Sequence, residues 1–391
     1  MKLSDRITQI IGDGSDGWEL FSKARAMKAD GLPVIELTVG QHDVSTDPMI
    51  LDEMHRAARA GHTGYAALPG TDELRDRVAA RVQAQTGVPT TRANVLITPG
   101  GQAALFAAHM TALDPGDTAL FIDPYYATYP GTIRAASAIP RAVAAHARHG
   151  FQPQRADIDA AADGARALLI NSPNNPTGAV YSPQTMAGLA GAARDHDLWL
   201  ISDEVYESQI WTGPHQSARA LPGMAERTLV VSSMSKTYAM TGSRIGWLIG
   251  PEEAIANAAD LTTHTTYGVA GFIQDAAYFA LGLGAEFEAK LAEPFRRRQK
   301  IALDLLAGQN LIHTVPSEGT MYVMLDIRAT GMTGEAFAHA LLDTHHIAVM
   351  PGESFGAQAA GHIRVAMTVS DDVFAPSMQT LIQFAQEQAN G

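Results

Sequence analysis

Five short apolar runs, at 95–98, 119–122, 167–170, 198–202 and 228–232, constrain this chain more than any other feature. Each ends in polar or Gly/Pro residues and is followed by an alanine-rich stretch with helical character. The runs are apolar throughout rather than alternating, as strands of a parallel sheet covered by helices on both faces must be. The expected fold class is therefore α/β, with a doubly wound, mostly parallel sheet. A helical pattern follows at about 284–308, carrying Arg296, Arg297, Arg298 and Lys300. Two later runs, 321–327 and 362–368, read as half-buried strands of a smaller α+β layer.

Ligands of open parallel sheets bind outside the carboxyl ends of the strands, so the residues just after each run carry the functional information. Gly100-Gly101-Gln102 follows the first run, and Asp123-Pro124-Tyr125-Tyr126 follows the second. Asn171 and the turn through Asn174, Asn175 and Gly178 follow the third, Asp203-Glu204-Val205-Tyr206 the fourth, and Ser233-Met234-Ser235-Lys236 the fifth. Five strand ends point to one site.

Composition narrows the chemistry. The 391 residues suffice for one large enzyme or two moderate domains, with 46% hydrophobic and 18% charged residues. No stretch of about 18 apolar residues is present, so no membrane span is expected. The first fourteen residues lack the apolar core of a secretory signal, and the chain has no cysteine, so a cytoplasmic location is expected, without disulfides or thiolate chemistry. Lys plus Arg number 28 against 41 Asp plus Glu, a net charge of −13 that disfavours nucleic acid and anionic membranes. The histidine pairs His146/His149 and His345/His346 bring no acidic partners at a converging spacing, so no metal is expected. No P-loop or dinucleotide glycine fingerprint occurs either.

Ser233, Ser235, Lys236 and, eight residues later, Arg244 place hydroxyls, an amine and a guanidinium after a buried strand. That set suits a phosphate and an aldehyde: a desolvated lysine near a cation is biased to the free amine that forms a Schiff base. Arg244 can grip a phosphate as a bidentate fork. Gly101 and Gln102 open a helix, whose free N–H groups and positive dipole end face any anion there. Blander readings exist for each residue taken singly: a surface lysine, a helix-capping Asp203, a turn residue at Asn175 and a strand-edge Arg364.

Taken in order, Asn174-Asn175-Pro176-Thr177-Gly178, Asp203-Glu204-Val205-Tyr206 and Ser233-x-Ser235-Lys236 running on to Met240-Thr241-Gly242-x-Arg244-Ile245-Gly246 resemble the class I, fold type I, pyridoxal-phosphate-dependent aminotransferases. The resemblance covers nearly the whole chain, from Leu37-Thr38-Val39-Gly40 to Arg364. It implies pyridoxal 5′-phosphate as cofactor and Lys236 as the lysine that bonds to it and shuttles the substrate proton. Asp203 would pair with the pyridine nitrogen, Tyr206 and Asn175 with the phenolic oxygen, and Tyr126 would stack on the ring. Gly101, Gln102, Ser233, Ser235 and Arg244 would hold the phosphate. Arg364 would clasp the substrate α-carboxylate, with Asn175 beside it, and Gly40 would supply a backbone contact on the substrate side. Tyr65 would reach the phosphate of a neighbouring subunit, which implies a homodimer with shared sites. Residues 46–284 would form the large cofactor-binding domain and 1–45 plus 285–391 the small one. Where the family pattern after Gly40 is acidic-proline-aspartate, this chain has Gln41-His42-Asp43.

The reaction implied is a ping-pong transfer of an amino group from an L-amino acid to a 2-oxo acid. Bacterial aspartate enzymes of this kind often carry a lysine where Gln102 stands, and that lysine receives the distal carboxylate. Ile11-Gly12-Asp13-Gly14, Leu221-Pro222-Gly223-Met224 and Phe272-Ile273-Gln274-Asp275-Ala276-Ala277 resemble the arginine:pyruvate transaminases. Arginine or another basic or neutral donor with pyruvate as acceptor is therefore the expectation. An aspartate aminotransferase and a PLP-dependent C–S β-lyase are the same-fold alternatives. A non-enzymatic PLP sensor of the transcription-regulator type is disfavoured, because only 45 residues, with no basic helix-turn-helix pattern, precede the large domain.

Overall fold

A computed structural model describes residues 1–12, 17–315 and 317–390. Of the Ile11–Gly14 motif, Asp13 and Gly14 lie outside the described residues. In chain order the strands are β1 (Ile35–Leu37), β2 (Val95–Thr98), β3 (Thr118–Asp123), β4 (Ile139–Ala144), β5 (Ala165–Asn171) and β6 (Trp199–Asp203). They continue with β7 (Thr228–Ser233), β8 (Gly246–Ile249), β9 (His313–Thr314), β10 (Tyr322–Asp326), β11 (Ile347–Pro351) and β12 (His362–Ala366).

A seven-stranded sheet takes the order β2-β8-β7-β6-β5-β3-β4. Its pairs are parallel except those of β8, which runs antiparallel to both β2 and β7. Strands β2, β3, β6 and β7 are buried almost end to end because helices cover both faces, which accounts for their unbroken apolar runs. Strand β4 was not legible as one of those runs: it is the edge strand at the end opposite β2, largely exposed, and holds Pro140 and Arg141. Register brings the chemistry together. Asn171 of β5 pairs with Asp203 of β6, Ser233 of β7 with Gly246 of β8, and Gly246 in turn with Thr98 of β2.

The five-stranded sheet has the order β1-β11-β12-β10-β9. Here the expectation of half-buried strands needs correction, since β10 is buried but for its last residue and β12 is buried throughout. Val323, Leu325, Ile363 and Val365 pack with Phe295, Phe337 and Phe374 of the covering helices. Met324 packs on the other side with Met350, Phe355 and Ala359. Both faces are covered, so the alternation that a half-buried strand would need is missing. The helix Gly284–Leu306 carries the basic stretch, and Arg298 within it is buried. It pairs with Asp43 at 2.6 Å and Asp371 at 2.8 Å, so this cation ties together segments far apart in sequence.

Candidate active site

A cavity of about 290 Å³ lies at the carboxyl ends of β5, β6 and β7, closed from the other side by β10, β12 and the segment after β1. Gly40, Gly101, Gln102, Tyr126, Asn175, Asp203, Tyr206, Ser233, Ser235, Lys236, Arg244 and Arg364 all line it. Tyr65 does not. It is 89% exposed and its ring meets that of Tyr267 edge-on at 5.0 Å.

Lys236 sits in the single helical turn Met234–Thr237 directly after β7. Ser233 starts that turn, its side chain accepting from the Ser235 N–H at 3.3 Å, which explains a serine just where the strand ends. The Lys236 amine donates to the Gly40 carbonyl. Burial depresses the ammonium below its ordinary range, against the pull of Tyr322 and with help from the Arg364 cation. Only glycine fits at position 40, since a Cβ there would lie 1.8 Å from the Tyr322 hydroxyl.

Asp203 ends β6 and is buried. Its Oδ2 accepts from the Tyr129 hydroxyl at 2.7 Å and its Oδ1 from the Val205 N–H at 3.3 Å. Desolvation pushes its pKa up to about 6, although the Tyr129 hydrogen bond works in the opposite direction. No helix begins at this point, so the capping reading does not apply. Asn171 donates to the Asp203 carbonyl at 2.9 Å and accepts from the Asn175 N–H at 2.8 Å, so β5, β6 and the turn after β5 are laced together.

Arg364 projects from β12, 5% exposed, between the rings of Tyr322 at 4.2 Å and Phe355 at 4.4 Å. It donates to Asn175 Oδ1 at 2.8 Å and to the Thr38 carbonyl, while its Nε is buried without a partner. Desolvation lowers its pKa, and no carboxylate among the described residues pairs with it. A buried guanidinium with an unused donor and only neutral acceptors can take a carboxylate as a further partner. Tyr206 and Tyr322 share a hydroxyl contact at 3.2 Å. Burial raises the Tyr322 phenol, but the Arg364 and Lys236 cations outweigh it and hold the group below the ordinary phenol range.

The helix Gly101–Ala112 begins at the cavity wall after Gly100, whose φ of +80° no side chain adopts readily. A Cβ at Gly100 would meet the Arg244 guanidinium at 2.5 Å, so glycine leaves the space in which that cation lies. Arg244 itself has φ +48°, a left-handed conformation that costs of order 1–3 kcal/mol and recurs at ligand clamps. The Gln102 carboxamide is engaged, donating to Thr132 Oγ1 at 2.9 Å and accepting from Thr128 Oγ1 at 3.2 Å.

Tyr129, Tyr322, Asn171, Thr38 and His42 were not singled out for roles in the sequence. Tyr129 stands three residues from Tyr126, and Tyr322 lies in a run read only as a strand; each was hidden because its partner lies 74 to 116 residues away. The structure also gathers Glu204, Glu207 and His215, whose ligand atoms lie within 4.8 Å of one another, a grouping that the histidine spacings did not show. These groups already have partners: Ser202, Ser217 and the Ala218 N–H on Glu204, and Arg81 on Glu207.

Known proteins resemble this chain in sequence and fold. The family described as aminotransferase class I and II matches residues 33–377. The arginine–pyruvate transaminase AruH of Pseudomonas aeruginosa is 36% identical over 388 residues, 99% of each chain. The aspartate/prephenate aminotransferase of Thermus thermophilus is 34% identical over 356 residues, 90% of this chain and 91% of that protein. Among solved structures, the Thermus thermophilus aspartate aminotransferase with maleate superposes with a TM-score of 0.92 at 32% identity, covering 98% of this chain and all of that one. A buried amine, carboxylate and guanidinium on one cavity, in a chain matched by that family over most of its length, lead to one conclusion: this chain belongs to the class I and II aminotransferases.

Proposed function

We propose that the enzyme uses pyridoxal 5′-phosphate to move the amino group of a basic or neutral L-amino acid, arginine foremost, to a 2-oxo acid such as pyruvate. The observation that carries this reading is the charge layout of the cavity. Two guanidinium cations, Arg244 and Arg364, and the Lys236 amine line it, with Asp203 as the carboxylate among the described residues. That excess suits a dianionic phosphate and a substrate carboxylate, and the helix N-terminus at Gly101 adds N–H donors at the phosphate end. The cofactor, when bound, supplies a carbonyl carbon for the amine and a ring that takes up electrons.

The protein's own residues do the rest. Arg364 holds the α-carboxylate, and Lys236, biased to the neutral amine by burial, moves the proton at the substrate Cα. Asp203 holds positive charge at the ring nitrogen, Tyr206 and Asn175 the phenolic oxygen, and Tyr126 one ring face. Gly101, Gln102, Ser233, Ser235 and Arg244 hold the phosphate, Gly40 contacts the substrate side, and Tyr65 serves the site of a partner subunit in a homodimer. Residues 46–284 act as the large domain and the two flanks as the small one, in a protein placed in the cytoplasm. Trp18 and Phe21 line the cavity as well. Aromatic rings accept a guanidinium through cation–π contact, while a second carboxylate finds no spare cation among the described lining residues.

Two measurements test this. Lys236→Ala should abolish turnover together with the covalent link to the cofactor, read as loss of borohydride-fixable cofactor on the protein; normal turnover in that variant overturns the assignment. A panel of L-amino acids with pyruvate and 2-oxoglutarate should give the highest kcat/KM for arginine or a neutral donor with pyruvate. A maximum for aspartate with 2-oxoglutarate overturns the substrate preference, and ammonia release without any acceptor points to β-elimination instead.

A further inference from the structure

Lys236 is held at both ends by one short stretch of chain. Its amine donates to the Gly40 carbonyl, and its main-chain carbonyl lies 2.7 Å from Nε2 of His42. A carbonyl can only accept, so the His42 ring carries its proton on Nε2. Gln209 donates a second, longer hydrogen bond to the same carbonyl at 3.2 Å. His42 is 7% exposed and its ring packs edge-on against Phe295 at 4.8 Å. Its neighbour Asp43 pairs with the buried Arg298 at 2.6 Å, which fixes the stretch from its other side.

The need for such a clasp follows from the helix that carries the lysine. Met234–Thr237 is a single turn, too short to hold its own carbonyls in an internal ladder. Side chains from elsewhere must therefore satisfy the Lys236 carbonyl, and whatever fixes that carbonyl fixes the root of the lysine side chain. A displacement of about 1 Å at a reacting group costs on the order of a hundredfold in rate.

Resting on the assignment of Lys236 above, we propose that His42 is a positioning residue. Its N–H anchors the Lys236 main chain, so that the amine meets the cofactor carbonyl carbon and the substrate Cα in one fixed orientation. The residue acts through Lys236 and touches neither cofactor nor substrate.

The test uses the enzyme loaded with pyridoxal phosphate and reads visible circular dichroism per mole of bound cofactor, which reports how rigidly the chromophore is oriented, beside steady-state kinetics. His42→Phe keeps the packing on Phe295 and removes the donor. It should roughly halve the visible dichroic signal and lower kcat by about tenfold or more, with a smaller change in KM. His42→Gln, which retains an N–H donor, should recover most of the signal. A wild-type signal and kcat in His42→Phe, or equal defects in the Phe and Gln variants, overturn the proposal. Should His42→Phe fail to fold, His42→Met, which also lacks a donor, is compared with His42→Gln instead: a reduced signal that the Gln variant recovers supports the clasp, and equal signals overturn it. Wild-type protein that takes up no cofactor would refute the functional assignment itself, whereas loaded variants that match the wild type refute only the role of His42.

Discussion

The Tyr129 hydroxyl donates a 2.7 Å hydrogen bond to Oδ2 of Asp203, the carboxylate at the floor of the cavity. Burial lifts Asp203 to about 6, and this bond opposes the lift. Removing it should raise the pKa further, so that less of the carboxylate is ionised near neutrality. In Tyr129→Phe the pH midpoint for cofactor association by the apoenzyme should move up from near 6 by about one to two units, the size expected for a hydrogen bond to a charged group. A midpoint that stays put would show that Tyr129 does not tune Asp203. Asp203→Asn should still bind cofactor, though more weakly and with no midpoint near 6, and should slow the single-turnover half-reaction by orders of magnitude; an unchanged rate would remove Asp203 from this role.

Gln102 lines the cavity, and its carboxamide is tied to Thr128 and Thr132. Gln102→Lys should raise kcat/KM for aspartate relative to a neutral donor by about tenfold, the scale of one charge-assisted hydrogen bond. Competition assays with both donors measure the ratio directly. No change would place the distal end of the substrate elsewhere in the cavity.

Tyr65 stands almost fully exposed, 89%, outside the cavity of its own chain. A phosphate contact by this hydroxyl is possible only across a subunit boundary. Sedimentation should show a homodimer, and Tyr65→Phe should weaken cofactor affinity by about fivefold to tenfold, as loss of one hydrogen bond to a charged group does. An active monomer, or an unchanged affinity, contradicts a shared site.

His109, fully buried in the helix Gly101–Ala112, has neither ring nitrogen in a well-formed hydrogen bond. Burial lowers its pKa from 6.5 to about 4. The folded state therefore binds this proton more weakly than the unfolded chain, so stability is lost as pH falls from about 6.5 to 4. The loss amounts to about 3 kcal/mol at most. His109→Met removes the titrating group from that site. The stability of the variant relative to wild type, followed by urea denaturation of the apoenzymes, should rise as the pH drops through this window. A difference independent of pH would show that the imidazole is not the group being protonated.

The fold was legible because burial on both faces of a parallel sheet demands unbroken apolar strands, and β2, β3, β5, β6 and β7 all show them. Two strands of that sheet were missed. Edge strand β4 is largely exposed and tolerates Pro140 and Arg141, while β8 is buried throughout but starts at Gly246, where the Arg244 motif ends, and was not picked out as a run of its own. Lys236, Asp203, Asn175 and Arg244 stood out because their roles depend on residues within a few positions of a strand end.

What the order of amino acids determined was thus local: strands by hydrophobic run, the helix start at Gly100-Gly101, the turn that carries Lys236 and the family they belong to. Tertiary structure decided which distant side chains complete those groups. Tyr129 reaches Asp203 across 74 residues, Arg364 meets Asn175 across 189, and His42 grips the Lys236 carbonyl across 194. A strand end advertises itself through its own turn chemistry. A buried polar group takes whichever partner the packing of two sheets brings within about 3 Å, and nothing in the local sequence encodes that choice.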